Sequence, residues 1–185
     1  KVFSSEEFQG KTMGMNSYRV SSDGNHEVWV GDDAGRYSVF LHTIGQAKAQ
    51  IILQSGLKEV DRNSNGRGPL LSWYGTNSLA VLFSEQGFTW IKNFTVDKAG
   101  KLKGEDKKKI ANLSYLDMDM SANGTKMLVR VMEKGQVDVG IYDLKRNRFS
   151  PITQDIYDES EAHWVGTTGD VYYVSDRYDD TLQNN

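Results

Sequence analysis

Apolar and polar residues along the chain follow one template four times. Each copy is a short apolar strand, a tight polar turn that contains glycine, and a second apolar strand, and the copies occupy residues 18–30, 70–83, 116–131 and 162–174. Their turn glycines, Gly24, Gly75, Gly124 and Gly169, lie 51, 49 and 45 residues apart. Turn residues that accept a positive φ favour hairpins. The pattern therefore predicts four hairpins at nearly regular spacing.

A repeat of this length that begins on a hairpin is typical of a β-propeller blade. We therefore predict an all-β fold: part of a β-propeller built from four-stranded blades. Six blades of about 45 residues need on the order of 270 residues, so a chain of 185 residues holds about three and a half. The predicted blades are residues 18–56, 67–114 and 115–155, followed by an incomplete blade at residues 160–185.

The two ends of the chain carry no boundary signal. The chain begins at Lys1 without an initiator methionine and stops where a further strand is due, so we expect a piece of a larger protein. Residues 1–17 are interpreted as the end of a preceding blade or a linker. Two alternatives remain within them: the outermost strand of that blade, or a short helix over residues 5–9 with a serine N-cap.

Strand details follow from the apolar runs. The runs at residues 80–83 and 171–174 lack alternation, which predicts strands buried on both faces between neighbouring blades. In the second blade, the outermost strand is expected at residues 109–113, after a long connection that carries the lysines. We expect the aromatic residues of these strands to be packing material.

Composition restricts the function. The net charge of −3 gives no electrostatic basis for binding nucleic acid. The lysines of residues 101–109 are interrupted by Glu105 and Asp106, which favours a solvated loop or edge. Because cysteine is absent, disulfides and thiolate chemistry are excluded. No apolar run is long enough to span a bilayer.

One loop has the spacing of a cation site. Asp61, Asn63 and Asn65 precede Gly66 in the order Asp-x-Asn-x-Asn-Gly, the first half of an oxygen-rich Ca²⁺ loop. The bidentate glutamate is missing, since Ser72 stands in its place. The alternatives are a Ca²⁺ site and a solvated turn between blades, and no other cofactor is expected.

Candidate binding residues lie on the third and fourth repeats. Alternation places Asp117 and Asp119 on one face of an inner strand, where they either face a channel and bind a cation or basic peptide, or accept hydrogen bonds from nearby backbone. His163 lies on the next inner strand, and Arg177 follows the last predicted strand. No serine, histidine and acid form a recognisable triad, so no catalytic residue is predicted.

The third repeat resembles a known family. Residues 121–129, Ser-Ala-Asn-Gly-Thr-Lys-Met-Leu-Val, are similar to the Ser-Pro-Asp-Gly-Lys turn and strand of the TolB-like (PD40, WD40-like) propeller repeat. Residues 141–145, 152–153 and 174–177 resemble its later strands, and residues 22–24 repeat the turn. Alanine replaces the family's proline at 122, and the turns of the second and fourth repeats depart from the pattern.

The resemblance implies a propeller of six to eight blades, periplasmic or extracellular. It also implies one of two roles: a non-enzymatic platform for a protein or peptide partner in the bacterial cell envelope, or the non-catalytic propeller of a prolyl oligopeptidase-type or tricorn-like peptidase. A third alternative is a carbohydrate- or cation-binding propeller that uses its tryptophans, Trp29, Trp73, Trp90 and Trp164. Fold alone does not decide between them.

Overall fold

The computed structural model describes residues 18–33, 36–57 and 68–177, and all regular structure in these ranges is β-strand. The first sheet contains β1 (Tyr18–Val20), β2 (His26–Asp33), β3 (Arg36–Thr43) and β4 (Gln50–Leu57). The second contains β5 (Leu70–Tyr74), β6 (Ser78–Glu85), β7 (Phe88–Val96), β8 (Leu102–Gly104) and β9 (Lys108–Lys109). The third contains β10 (Ser114–Met120), β11 (Lys126–Glu133), β12 (Gln136–Asp143) and β13 (Arg148–Pro151), and the fourth contains β14 (Glu159–Trp164) and β15 (Val171–Ser175).

Within each sheet, consecutive strands pair antiparallel in chain order, except that β9 pairs with β7. Two-residue turns connect the second and third strands of the second and third sheets, at residues 86–87 and 134–135. Both residues of each turn have positive φ, 52° and 78° at Gln86 and Gly87, and 53° and 88° at Lys134 and Gly135. This is the type I′ geometry, whose twist matches that of the flanking strands.

The hydrophobic core lies between neighbouring sheets. On β6, Leu79, Val81 and Phe83 pack towards the first sheet, whereas Ala80 and Leu82 pack towards the third. The first strands of successive sheets also contact one another, β1 with β5, β5 with β10, and β10 with β14. Four-stranded sheets packed face to face in chain order are the blades of a propeller, so the predicted all-β partial propeller is confirmed.

The second sheet corrects one strand prediction. Its outermost strand is not at residues 109–113: β8 and the two-residue β9 both pair with β7. Leu102 lies opposite Val96, and Lys109 lies opposite Trp90. The outer strand is divided into two pieces: β8 pairs with one end of β7 and β9 with the other. Between the two pieces, the backbone N–H of Glu105 donates to Asn93 O at 2.9 Å.

The fourth sheet corrects another. The apolar run 171–174 was expected to be buried on both faces, but Tyr172 and Val174 are 50% and 48% exposed. The physical reason is that, among the described residues, β15 has an unpaired edge and no further sheet packs on its far face. The alternatives for residues 5–9 lie outside the described residues. In the described ranges, no helix is long and apolar enough to cross a membrane.

Candidate functional site

The hairpin turns of the first and third sheets share one hydrogen-bond pattern. In turn 21–26, the Asp23 carboxylate accepts from the side chain two residues before it at 2.7 Å and from the backbone N–H two residues after it at 3.0 Å. In turn 121–126, Asn123 Oδ1 accepts from the equivalent groups at 3.0 and 3.1 Å. The hydrogen bonds lower the pKa of Asp23 to about 2.

Neighbouring turns touch at the first two sheet interfaces. Ser22 Oγ donates to Gly75 O at 3.3 Å, which joins the turns of the first and second sheets. At the next interface, the ring of Tyr74 lies so close to Gly124 that a Cβ there would come within 2.4 Å of it. Gly75 also approaches the backbone of Ala122. These turns therefore close both interfaces.

The turns of the third and fourth sheets are separated. A pocket of about 420 Å³ lies between them, a volume in the range of ligand-binding sites, about 300 to 1,000 Å³. One wall is turn 121–126, the other is turn 165–170, and Ile141 and Trp164 complete the lining. We call this space the inter-turn pocket. It is lined by Ser121, Ala122, Asn123, Lys126, Ile141, Trp164, Gly166, Thr167 and Gly169.

Trp164 is held rigidly beside the pocket. Its backbone N–H donates to Asp119 Oδ2 at 3.0 Å, and its indole Nε1–H donates to Asp119 O at 3.0 Å. The turn that follows Trp164 leaves room, because Gly166 and Gly169 carry no side chain and a Cβ at either position would meet no atom within 4 Å. The pocket thus combines a fixed aromatic side chain with a turn that lacks bulky side chains.

Of the predicted binding residues, the structure brings Asp119 and His163 together. His163 Nδ1 lies 3.6 Å from Asp119 Oδ2, and the imidazole ring packs 5.4 Å from the Tyr172 ring. Asp119 Oδ1 also accepts from Ser72 Oγ at 3.4 Å. Asp119 therefore joins the first strands of three sheets, which matches the alternative in which its carboxylate accepts backbone hydrogen bonds.

Asp117 belongs to a separate ion-pair network. Its carboxylate lies 3.6 Å from Arg19 NH2 on the first sheet and 3.8 Å from Arg130 NH2 on the neighbouring strand. Arg130 NH1 donates to the backbone carbonyl of Glu159 at 3.4 Å. This network links the first, third and fourth sheets, and a binding role for Asp117 stays a prediction.

Arg177 lies apart from the other predicted residues. It forms an ion pair with Asp155 and its guanidinium lies 5.1 Å from the centre of the Tyr157 ring. The strand β15 separates Arg177 from the inter-turn pocket, because Val171 lies opposite Trp164 and Ser175 lies opposite Glu159. The four predicted residues therefore do not form one site.

The predicted Ca²⁺ ligands, Asp61, Asn63 and Asn65, lie outside the described residues. Among the residues that the structure does describe, no group of three or more His, Asp or Glu side chains could hold a metal ion. In the lysine-rich stretch, Lys107 pairs with Glu85 and lies 4.6 Å from the Trp90 ring, and Lys109 lies over Phe88. Lys108 Nζ donates to the Leu144 carbonyl, directly after β12 of the third sheet.

Sequence reasoning treated the walls of the pocket as turns or packing. Turn 121–126 is predicted as a family motif, and Trp164 is named only as one of the four tryptophans of the carbohydrate- or cation-binding alternative. One signal was present: turn 165–170 has two glycines and a valine where turns 21–26 and 121–126 begin with serine. That departure from the repeat coincides with the position at which the turns separate.

The structure resembles solved propeller proteins at low sequence identity. A protein described as TolB from Agrobacterium tumefaciens is 14% identical with a TM-score of 0.62, and the alignment covers 91% of this chain and 60% of that one. TolB from Acinetobacter baumannii is 11% identical with a TM-score of 0.57, and the alignment covers 88% of this chain and 37% of that one. A prolyl endopeptidase is 14% identical with a TM-score of 0.55, and the alignment covers 90% of this chain and 25% of that one.

No protein-family model matches the chain, and no curated protein matches it. The chain spans between a quarter and three fifths of the length of these solved structures. At such identities the likeness establishes the fold alone. The chain has the fold of the propellers found in TolB and in prolyl peptidases.

Proposed function

We propose that the chain is a non-enzymatic platform that binds a peptide segment of a partner protein in the cell envelope. The observation that carries this proposal is the inter-turn pocket, which interrupts an otherwise closed row of hairpin turns. Loops held at one end of a rigid β-scaffold are a common place for recognition. The pocket has an apolar wall and a few polar groups, as binding sites generally do.

The described residues nearest to a catalytic arrangement support binding rather than hydrolysis. Ser72, Asp119 and His163 lie near one another, but Ser72 Oγ contacts the carboxylate and not the imidazole. Ser72 is 3% exposed, and its Oγ accepts from the backbone N–H of Met120 at 3.0 Å. A serine nucleophile needs an activating base and access to substrate; the His163 imidazole does not contact Ser72 Oγ, and Ser72 is buried.

The cell-envelope location is part of the proposal and is supported by the likeness to TolB structures. It is tested by fusing the natural gene product to a tag and fractionating the cells. Recovery with periplasmic or extracellular markers is the expected result. Recovery with cytoplasmic markers would contradict this part without affecting the binding platform.

The binding role is tested by selecting peptides from a random displayed library on the 185-residue chain. We expect enriched peptides to bind in solution by calorimetry, and Ala122→Trp, which places a large side chain in the pocket lining, to weaken them at least tenfold. Ala99→Trp adds the same side chain at an exposed position of the second sheet and is expected to have no effect. If no selected peptide binds in solution, the platform is rejected.

A second candidate is the non-catalytic propeller of a prolyl oligopeptidase-type peptidase. The observation that favours it is the likeness to a prolyl endopeptidase, of whose length the chain spans 25%. Treating the natural gene product with a fluorophosphonate probe distinguishes the two. Covalent labelling that is lost on mutating the labelled serine supports the peptidase, and an unlabelled protein supports the platform.

A further inference from the structure

Among the polar side chains of the inter-turn pocket, Asn123 and Lys126 have hydrogen-bond donors available, and the Thr167 hydroxyl can donate or accept. Asn123 Oδ1 already accepts from Ser121 Oγ, Thr125 N and Thr125 Oγ1, at 3.0, 3.1 and 2.7 Å. The Asn123 side chain therefore offers the pocket its Nδ2 amide hydrogens, because its oxygen is occupied. Ser121 Oγ is also engaged, since it accepts from the backbone N–H of Lys126 at 3.0 Å.

Lys126 supplies the positive charge of the pocket. The pocket lining contains no carboxylate. The acidic residue opposite Lys126 in the sheet is Asp143, and its carboxylate accepts from the backbone N–H of Arg146 at 2.8 Å and pairs with the Arg146 guanidinium at 3.8 Å. The charge of Asp143 also interacts with Lys126, but among the described residues the Lys126 ammonium group forms no ion pair within 4 Å, so its N–H groups can reach a ligand in the pocket.

An apolar surface lies beside these donors. Trp164 and Ile141 both pack against the small core between the third and fourth sheets and also line the pocket. A ligand that satisfies both regions needs an apolar group next to an anionic acceptor. The C-terminal residue of a peptide has this combination, because its side chain and its carboxylate share one Cα.

We propose that the inter-turn pocket binds the C-terminal residue of a peptide whose last side chain is apolar. The side chain packs on Trp164 and Ile141, and the terminal carboxylate accepts hydrogen bonds from Lys126 Nζ and Asn123 Nδ2. Charge-assisted hydrogen bonds of this kind are the stronger ones. This inference rests on the proposed binding function and names the ligand of the same pocket.

The test is a titration of the ¹⁵N-labelled 185-residue chain by NMR with two probes, N-acetyl-Ala-Leu and its C-terminal amide. We expect the free acid to shift the Trp164 indole N–H and the Asn123 side-chain amide signals. The C-terminal amide is expected to bind at least about tenfold more weakly than the acid, because it loses a charged hydrogen bond. Equal binding of acid and amide would overturn the inference.

Variants locate the contacts. Lys126→Gln is expected to weaken binding of the acid about tenfold and to leave binding of the amide unchanged, whereas the pocket-filling Ala122→Trp abolishes both and Ala99→Trp neither. Octanoate serves as a third probe, and if it binds as tightly as the peptide acid, the pocket takes amphiphilic acids in general and the peptide assignment is wrong. If longer selected peptides bind but neither short probe does, this inference fails while the platform stands.

Discussion

The interface between the second and third sheets is closed at its turn end, whereas the interface between the third and fourth sheets is open there. At the closed end Tyr74 fills the space beside Gly124. At the open end the inter-turn pocket occupies the corresponding position.

This difference shows how one repeat produces a seam and a site. In the second sheet, the hairpin turn has three residues between Tyr74 and Ser78, and the ring of Tyr74 reaches Gly124 in the turn of the third sheet. The fourth sheet turns with six residues between Trp164 and Val171, and the glycines of that turn project no side chain. A longer turn with two glycines therefore leaves a pocket at the position where the shorter turn of the second sheet brings an aromatic ring.

The largest expected effect comes from adding a methyl group to the closed seam. Gly124→Ala combines a positive φ of 70° with a Cβ placed 2.4 Å from the Tyr74 ring. We expect it to lower the free energy of unfolding by about 2 to 4 kcal/mol, from backbone strain and overpacking together. Urea denaturation followed by tryptophan fluorescence measures the loss.

Two matched controls separate strain from steric closure. Gly24→Ala, at φ 71°, and Gly169→Ala, at φ 89°, meet no atom within 4 Å, so each is expected to cost only about 1 kcal/mol of backbone strain. If all three substitutions have the same effect, the seam at Gly124 is not closed in the way described.

The second prediction breaks the attachment of the fourth sheet. Asp119→Ala removes the acceptor of the Trp164 backbone N–H and a contact to Ser72. An unpaired buried donor costs about 1 to 3 kcal/mol, which corresponds to roughly ten- to hundredfold faster local opening. Amide hydrogen exchange at β14 and β15 is expected to accelerate by this factor, while exchange in the first sheet changes little.

Asp143→Ala is the control for this prediction. Asp143 accepts from the backbone N–H of Arg146 within its own loop, so its removal is expected to speed exchange in that loop only. Acceleration of β14 by both variants would show that exchange there reports general destabilisation rather than the contact with Asp119.

Much of the fold was predictable because apolar runs and turn glycines mark strands locally. The hairpin predicted within residues 70–83 is observed as β5 (Leu70–Tyr74) and β6 (Ser78–Glu85). The outer strand of the second sheet was misplaced because Leu102 and Lys103 form a short edge strand with little hydrophobic pattern. The exposure of β15 was missed because an apolar run does not reveal whether a partner strand covers it.

The candidate site was predictable only in part. Alternation correctly placed Asp117 and Asp119 on one face of β10 and the buried Met118 and Met120 on its other face. It could not show that Asp117 pairs with Arg19, two sheets away, or that Asp119 accepts from Trp164. Such contacts depend on how the sheets stack around the propeller. The local sequence around each residue carries no signal of that stacking. The pocket is a property of two turns together.

The smallest expected effect is a pH dependence at the far end of the open interface. Glu159 is buried at the start of β14, where Thr153 Oγ1 of the third sheet donates to its carboxylate at 3.1 Å and Ser175 Oγ donates at 3.4 Å. Burial raises the pKa of Glu159 above its ordinary value of 4.5, and the neighbouring Asp155 and Asp138 carboxylates raise it further.

Because the folded chain binds this proton more tightly than the unfolded chain, the contribution of Glu159 to stability is complete below pH 4.5 and is lost as pH rises through the raised pKa. Glu159→Gln keeps the side chain neutral, so we expect its advantage in melting temperature over the natural chain to grow between pH 4.5 and neutrality. Thermal unfolding by circular dichroism measures this.

Glu133→Gln is the control. Because the Glu133 side chain is 76% exposed, the melting temperature of this variant is expected to change with pH in parallel with that of the natural chain across the same range. If Glu159→Gln also runs parallel, the carboxylate is not held in an environment that favours its protonated form, and its contact with the third sheet does not depend on pH.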